Sequence, residues 1–190
     1  MKKLIFILLS GLFTATVQAQ FTKATLQASG LTCSMCNNAI YKALKALPFV
    51  ASVESNVKNA SFEITFKEGA KADIDALKNA VEDAGFSVAA FTVTGKFDHL
   101  AIGNDQHIVI GDRHFHFVKV NDQVLNGEKT ITIVDKGFLS VKNFRKFSSA
   151  TSMACMQTGK SASCCEKGGV AANTRIYHAT IATIPGANPG

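Results

Sequence analysis

The chain of 190 residues has no Trp, two Tyr and three Pro. It also has no long run of basic residues, so nothing in it resembles the charged stripe that holds nucleic acid, and nucleic acid is a poor partner. Past the amino terminus no apolar segment approaches the ~20 residues needed to span a hydrocarbon core, so no membrane insertion is expected. No nucleophile with a base, phosphate-cradling Gly loop or paired carboxylates is legible either, and no enzymatic activity is expected. The missing Trp bears on Cys33-Ser34-Met35-Cys36 as well. A thioredoxin-type redox pair usually carries Trp before the motif and Pro inside it, and this one has neither.

What is present begins with Lys2 and Lys3, the apolar run Leu4 to Phe13, and Val17-Gln18-Ala19 with small residues at the −3 and −1 positions. This pattern predicts a cleavable signal peptide over residues 1–19, with cleavage after Ala19 and a periplasmic or secreted mature protein. No Cys lies near the cleavage point, which argues against a lipid anchor. Loss of Lys2 and Lys3 with the signal takes the formal charge from +6 to +4. Export places five cysteines in an oxidising compartment, where a thiol pair is held by metal or exchanges as a disulfide.

Alternation in Ala24 to Ala28 predicts a strand, and Ile40, Ala43, Leu44 and Leu47 fall on one face of a helix that starts at Cys36 and ends before Pro48. Val53, Ser55 and Val57 alternate, Lys58-Asn59 turns the chain, and Phe62, Ile64 and Phe66 alternate again. Asp73 is the N-cap of a second helix faced by Ile74, Leu77, Val81 and Ala84 and stopped by Gly85. A last strand runs from Phe86 to about Phe91. The order predicts a ferredoxin-like βαββαβ domain over residues 20–91.

The segment Gly30-Leu31-Thr32-Cys33-Ser34-Met35-Cys36, with Glu82-Asp83-Ala84-Gly85-Phe86 after the hairpin, resembles the heavy-metal-associated domains of copper chaperones, copper-transporting P-type ATPases and periplasmic mercury-binding proteins. The resemblance covers about residues 22–91. The family's usual Met before the Thr is Leu31 here, a volume-conserving change that keeps the loop packed down. Phe86 stands where soluble chaperones often place Tyr or Lys, as in the ATPase domains. The resemblance implies a soft-metal site and an efflux partner such as a copper-transporting ATPase.

The spacing of Cys33 and Cys36 lets both sulfurs converge on one ion, and the helix start favours their thiolate form. Two thiolates suit Cu(I), with Hg(II) or another soft metal as the alternative, whereas structural Zn(II) wants four ligands. A disulfide, or a redox pair, is the other reading of the same motif. Met35 is either a third ligand or a solvent-facing cover.

Beyond Phe91 the signals are strands: Thr92 to Phe97, His107 to Ile110, His114 to Val120, Thr130 to Asp135 and Arg175 to Ile181, with a turn at Gly111-Asp112. The expected fold class is therefore α+β, the ferredoxin-like domain followed by a small all-β domain over 92–184, an OB-like barrel or sandwich capped by Phe138, Phe144 and Phe147. Residues 148–173 read as a Cys/Met-rich insertion and 185–190 as a disordered tail. The insertion's Met153, Cys155, Met156, Cys164 and Cys165 form either a second soft-metal site or a disulfide from Cys155 to Cys164 or Cys165. His114 and His116 are expected on a solvated strand face, with a metal site joined by His99 or His107 as the alternative. Three functions stay in play: soft-metal sequestration or transfer, thiol-disulfide exchange, and a metal-responsive interaction module.

Overall fold

The computed structural model describes residues 20–31, 33–166 and 170–182. The expected signal peptide, Thr32 and the expected tail lie outside the described residues. Strand β1 (Gln20–Ser29) buries Phe21, Ala24, Leu26 and Ala28. Phe21 and Ala24 are three apart, and a bulge between Phe21 and Lys23 in the pairing with β4 restores them to one face. Helix α1 (Ser34–Lys45) buries Asn37, Ile40 and Leu44, and Lys42 and Lys45 in its last turn complement the helix dipole.

β2 (Val50–Asn56) and β3 (Ser61–Phe66) form the expected hairpin. Asn56 Oδ1 accepts hydrogen bonds from the backbone N–H groups of Lys58 (3.1 Å) and Asn59 (3.3 Å), an Asx turn that fixes the reversal. Asp73 caps α2 (Ile74–Asp83) by accepting from the Ala76 N–H at 2.9 Å. At the other end Gly85, at φ 87°, lets Phe86 N–H reach Val81 O and Gly85 N–H reach Glu82 O, a Schellman ending that only a left-handed residue completes. Leu31 and Phe86 pack against the main core.

The second half departs from expectation. β4 (Ser87–Ile102) does not stop near Phe91 but continues through the expected Thr92 to Phe97 strand, pairing with β1 on one side and β7 (Gln123–Ile133) on the other. β5 (Gln106–Ile110) and β6 (Arg113–Phe117) form a hairpin through Gly111-Asp112, and β8 (Ile176–Thr180) lies between β6 and β7. Among the described residues the eight strands make one sheet in the order β2-β3-β1-β4-β7-β8-β6-β5. The strands after Phe91 thus extend the first sheet and do not close into a barrel or sandwich of their own. Residues 90 to 93 are all buried, so the apolar run carries no mark of a boundary.

Nor is the second half strands alone. α3 (Val141–Ser148), capped by Ser140, α4 (Cys155–Thr158) and α5 (Ser163–Glu166) fall within it, the last two inside the expected insertion. Neighbouring residues of a strand point to opposite faces, and here both faces are covered. Phe91 and Val93 join the large core under α1 and α2, with Phe115, Phe117, Tyr177 and Phe138. Ala90 joins a second cluster with Val118, Val134, Phe147 and Met156, against which Phe144 packs. Phe138 therefore belongs to the main core, 5.4 Å from Phe91 ring to ring, while Phe144 and Phe147 anchor α3 on the other face.

Candidate metal site

Cys33 has extended backbone angles and closes the loop into α1, its Sγ accepting a hydrogen bond from the Cys36 N–H at 3.2 Å. The sulfur thus serves as the helix cap, and Cys36 follows three residues later in the first turn. The α1 first turn contains no acidic residue, so nothing offsets the positive potential of the exposed N–H groups. The Cα atoms of the pair are 5.3 Å apart and the two sulfurs are joined as a disulfide. Cys33 is exposed and Cys36 half-buried. Met35 is 83% exposed, pointing to solvent as the duller of its two accounts has it. The pair thus stands at a helix start, with Cys33 at the surface and Cys36 partly covered.

The other sulfur and imidazole residues are distributed differently from expectation. Met156 is buried in the cluster under α3, and Met153 packs against Cys155, Cys165, Val170 and Ile176. Both methionines therefore serve packing. Cys155 and Cys165 are buried under the sheet face opposite the main core, and the side chain of Cys164 lies outside the described residues. His116 is not on a solvated face: it is fully buried, because β6 is interior to the sheet and α4 and α5 cover its second face. His107 lies opposite it on β5. His114 is half-buried, and His99, at φ 44° in a bulge of β4, is exposed and 2.7 Å from Asp98.

Two residues of this region escaped the sequence reading. His178 pairs with His116 across β8 and β6, and its Nδ1 is 2.7 Å from Asp135 Oδ1. The legible signal is a lone His at the centre of Ile176–Thr180, a strand buried at every position.

The heavy-metal-associated domain model matches residues 25–87. The mercuric transport protein periplasmic component of Pseudomonas fluorescens is 34% identical over 86 residues, covering 45% of this chain and 93% of that protein. Copper chaperone CopZ of Staphylococcus aureus (strain bovine RF122 / ET3-1) is 30% identical over 63 residues, covering 33% of this chain and 91% of that one. Copper-transporting ATPase 2 of Rhizobium meliloti (strain 1021) is 36% identical over 80 residues, which are 40% of this chain and 10% of the ATPase.

Proposed function

Because the chain belongs to the heavy-metal-associated domain family through residues 25–87, we propose that it binds a soft metal ion between the Cys33 and Cys36 thiolates and hands it on. One observation carries this reading: the two sulfurs stand together on an exposed helix start, with their Cα atoms 5.3 Å apart. Two thiolates without a carboxylate favour low-coordinate Cu(I), with Hg(II) next on the same softness. Loading requires the dithiol, so two external thiol groups must first reduce the disulfide by two electrons through a mixed disulfide, leaving as a disulfide themselves.

Exposure suits transfer. A partner's thiolate adds to the bound ion, one of the two sulfurs leaves, and the ion passes on without ever being free. The relatives named for mercuric transport and copper transport support an efflux component, such as a copper-transporting ATPase, as the recipient. The signal-like amino terminus and the periplasmic relative support a periplasmic location. Among the described residues no helix is long and apolar enough to cross a membrane.

Anaerobic Cu(I) titration of the reduced chain against a competing chelator tests the proposal. One tightly held equivalent that disappears in the Cys33→Ser, Cys36→Ser double variant supports it, and no loss in that variant contradicts it. The joined sulfurs favour a second reading, thiol-disulfide exchange through the same pair. Insulin reduction at a turnover matching dedicated oxidoreductases would select that reading.

A further inference from the structure

Three imidazoles lie around one buried sulfur beneath the second half of the sheet. Cys155 Sγ lies 3.4 Å from His178 Nε2, 3.7 Å from His116 Nδ1 and 3.9 Å from His107 Nε2. The ligand atoms of His107, His116 and Cys155 are all within 4.8 Å of one another. Cys165 Sγ stands at the edge of the group, 3.9 Å from His107 Nε2. Around a tetrahedral ion with bonds of about 2.1 Å to nitrogen and about 2.3 Å to sulfur, nitrogen and sulfur ligands sit about 3.6 Å apart. The observed separations bracket that edge length.

The far sides of two rings are held as metal-binding imidazoles commonly are. His178 Nδ1 lies 2.7 Å from Asp135 Oδ1, and Asp135 Oδ2 accepts from the His178 backbone N–H at 3.0 Å. His116 Nε2 lies 3.1 Å from Asp105 Oδ1. An ionised carboxylate only accepts, so each holds the ring N–H on its own side in a hydrogen bond, which leaves the lone pairs of His178 Nε2 and His116 Nδ1 on the side of the Cys155 sulfur.

We propose that His107, His116, His178 and Cys155 form a second metal site, with Cys165 at its rim, for one resident ion of borderline softness, Zn(II) or copper. The mixed imidazole and thiolate set is shared by those two metals. An ion there ties β5, β6 and β8 to α4 and so fixes the covering of that sheet face. Cys155, His116 and His178 are wholly buried and His107 is half-buried, so a partner has little access to the ion. Cys155, His178 and Asp135 alone have the order of nucleophile, base and orienting carboxylate, but Cys155 and His178 are wholly buried, so no substrate reaches the sulfur. Two further imidazoles on the same sulfur have no place in that alternative.

The test uses the full mature chain carrying Cys33→Ser and Cys36→Ser, in buffer with a phosphine reductant, so that only the second site can respond and the outcome is independent of the first. Native mass spectrometry after separate additions of Zn(II) and of Cu(I) should show one retained equivalent of at least one metal and so identify it. Co(II) as a spectroscopic probe should give tetrahedral bands with a sulfur-to-metal charge-transfer band. That band should vanish in Cys155→Ser, and Asp135→Asn should weaken affinity about 10- to 100-fold. If Cys155→Ser fails to fold, His107→Ala on the half-exposed edge strand serves in its place and should lower affinity for the same ion. No retained metal, or a Co(II) spectrum unchanged by both the Cys155 and His107 substitutions, overturns the proposal.

Discussion

Cys33-Cys36 and the Cys155 cluster use the same soft chemistry in opposite settings. The first pair sits at a helix start, Cys33 exposed and Cys36 half-buried, and the second sulfur is buried among three imidazoles, two of them braced by carboxylates. Few ligands and open access make an ion easy to hand over, whereas many ligands and burial make it slow to leave. On the two proposals, transfer belongs to the first site and retention to the second.

The hardest blow to that contrast is removal of the first site. Cys33→Ser with Cys36→Ser should abolish one equivalent of Cu(I) binding while leaving thermal stability of the reduced chain nearly unchanged, as calorimetry would show. A large fall in melting temperature would mean that the pair is structural. Next comes the shared strand β4. Phe91 is fully buried and touches Phe138 of the second half, so Phe91→Ala should cost about 3 to 5 kcal/mol. Denaturant unfolding followed by far-ultraviolet dichroism and by protection of amides in β3 and β8 should shift together; separate shifts would show two independently folding halves.

A smaller effect belongs to the contact that ties α2 to β8. Asp75 faces Arg175 at 3.0 and 3.1 Å and accepts from the Tyr177 hydroxyl at 2.9 Å. Burial alone would raise the Asp75 carboxyl, but the Arg175 hydrogen bonds and charge, with Tyr177 and Lys78, outweigh it and hold the carboxyl below its ordinary 3.8. Below 3.8 the unfolded chain takes up the proton first, so this stabilisation is present above that value and is lost as pH falls through the folded value. Asp75→Asn should cost at most about 1 kcal/mol at neutral pH, since the pair is partly solvated, and the gap to the parent should narrow once the pH is brought below 3.8. Thermal melts at the two pH values check it, and a gap that widens on acidification would contradict the sign.

The first half was legible in the sequence because its signals are local. Strand alternation, the Asp73 cap, Gly85 and the Cys33 to Cys36 spacing each act within a few residues. The second half depends on pairing across long separations. Gln123 to Lys129 is mostly polar and contains Asn126-Gly127, which resembles a turn, yet it extends β7 by pairing with β4. His116 read as solvated because alternation against Phe115 and Phe117 implies a wet face only where nothing covers it, and α4 and α5 are too short to announce themselves. His178 and Asp135 become ligand and brace only when β8 settles between β6 and β7.

The most direct measurement loads the reduced full chain with one metal ion at each site, challenges it with a strong competing chelator, and follows the bound ions by native mass spectrometry over time. The account predicts that the ion at Cys33 and Cys36 leaves within the mixing time, while one ion persists and departs only in the Cys155→Ser variant. Loss of both ions at the same rate, or persistence of the Cys33-Cys36 ion instead, would contradict it.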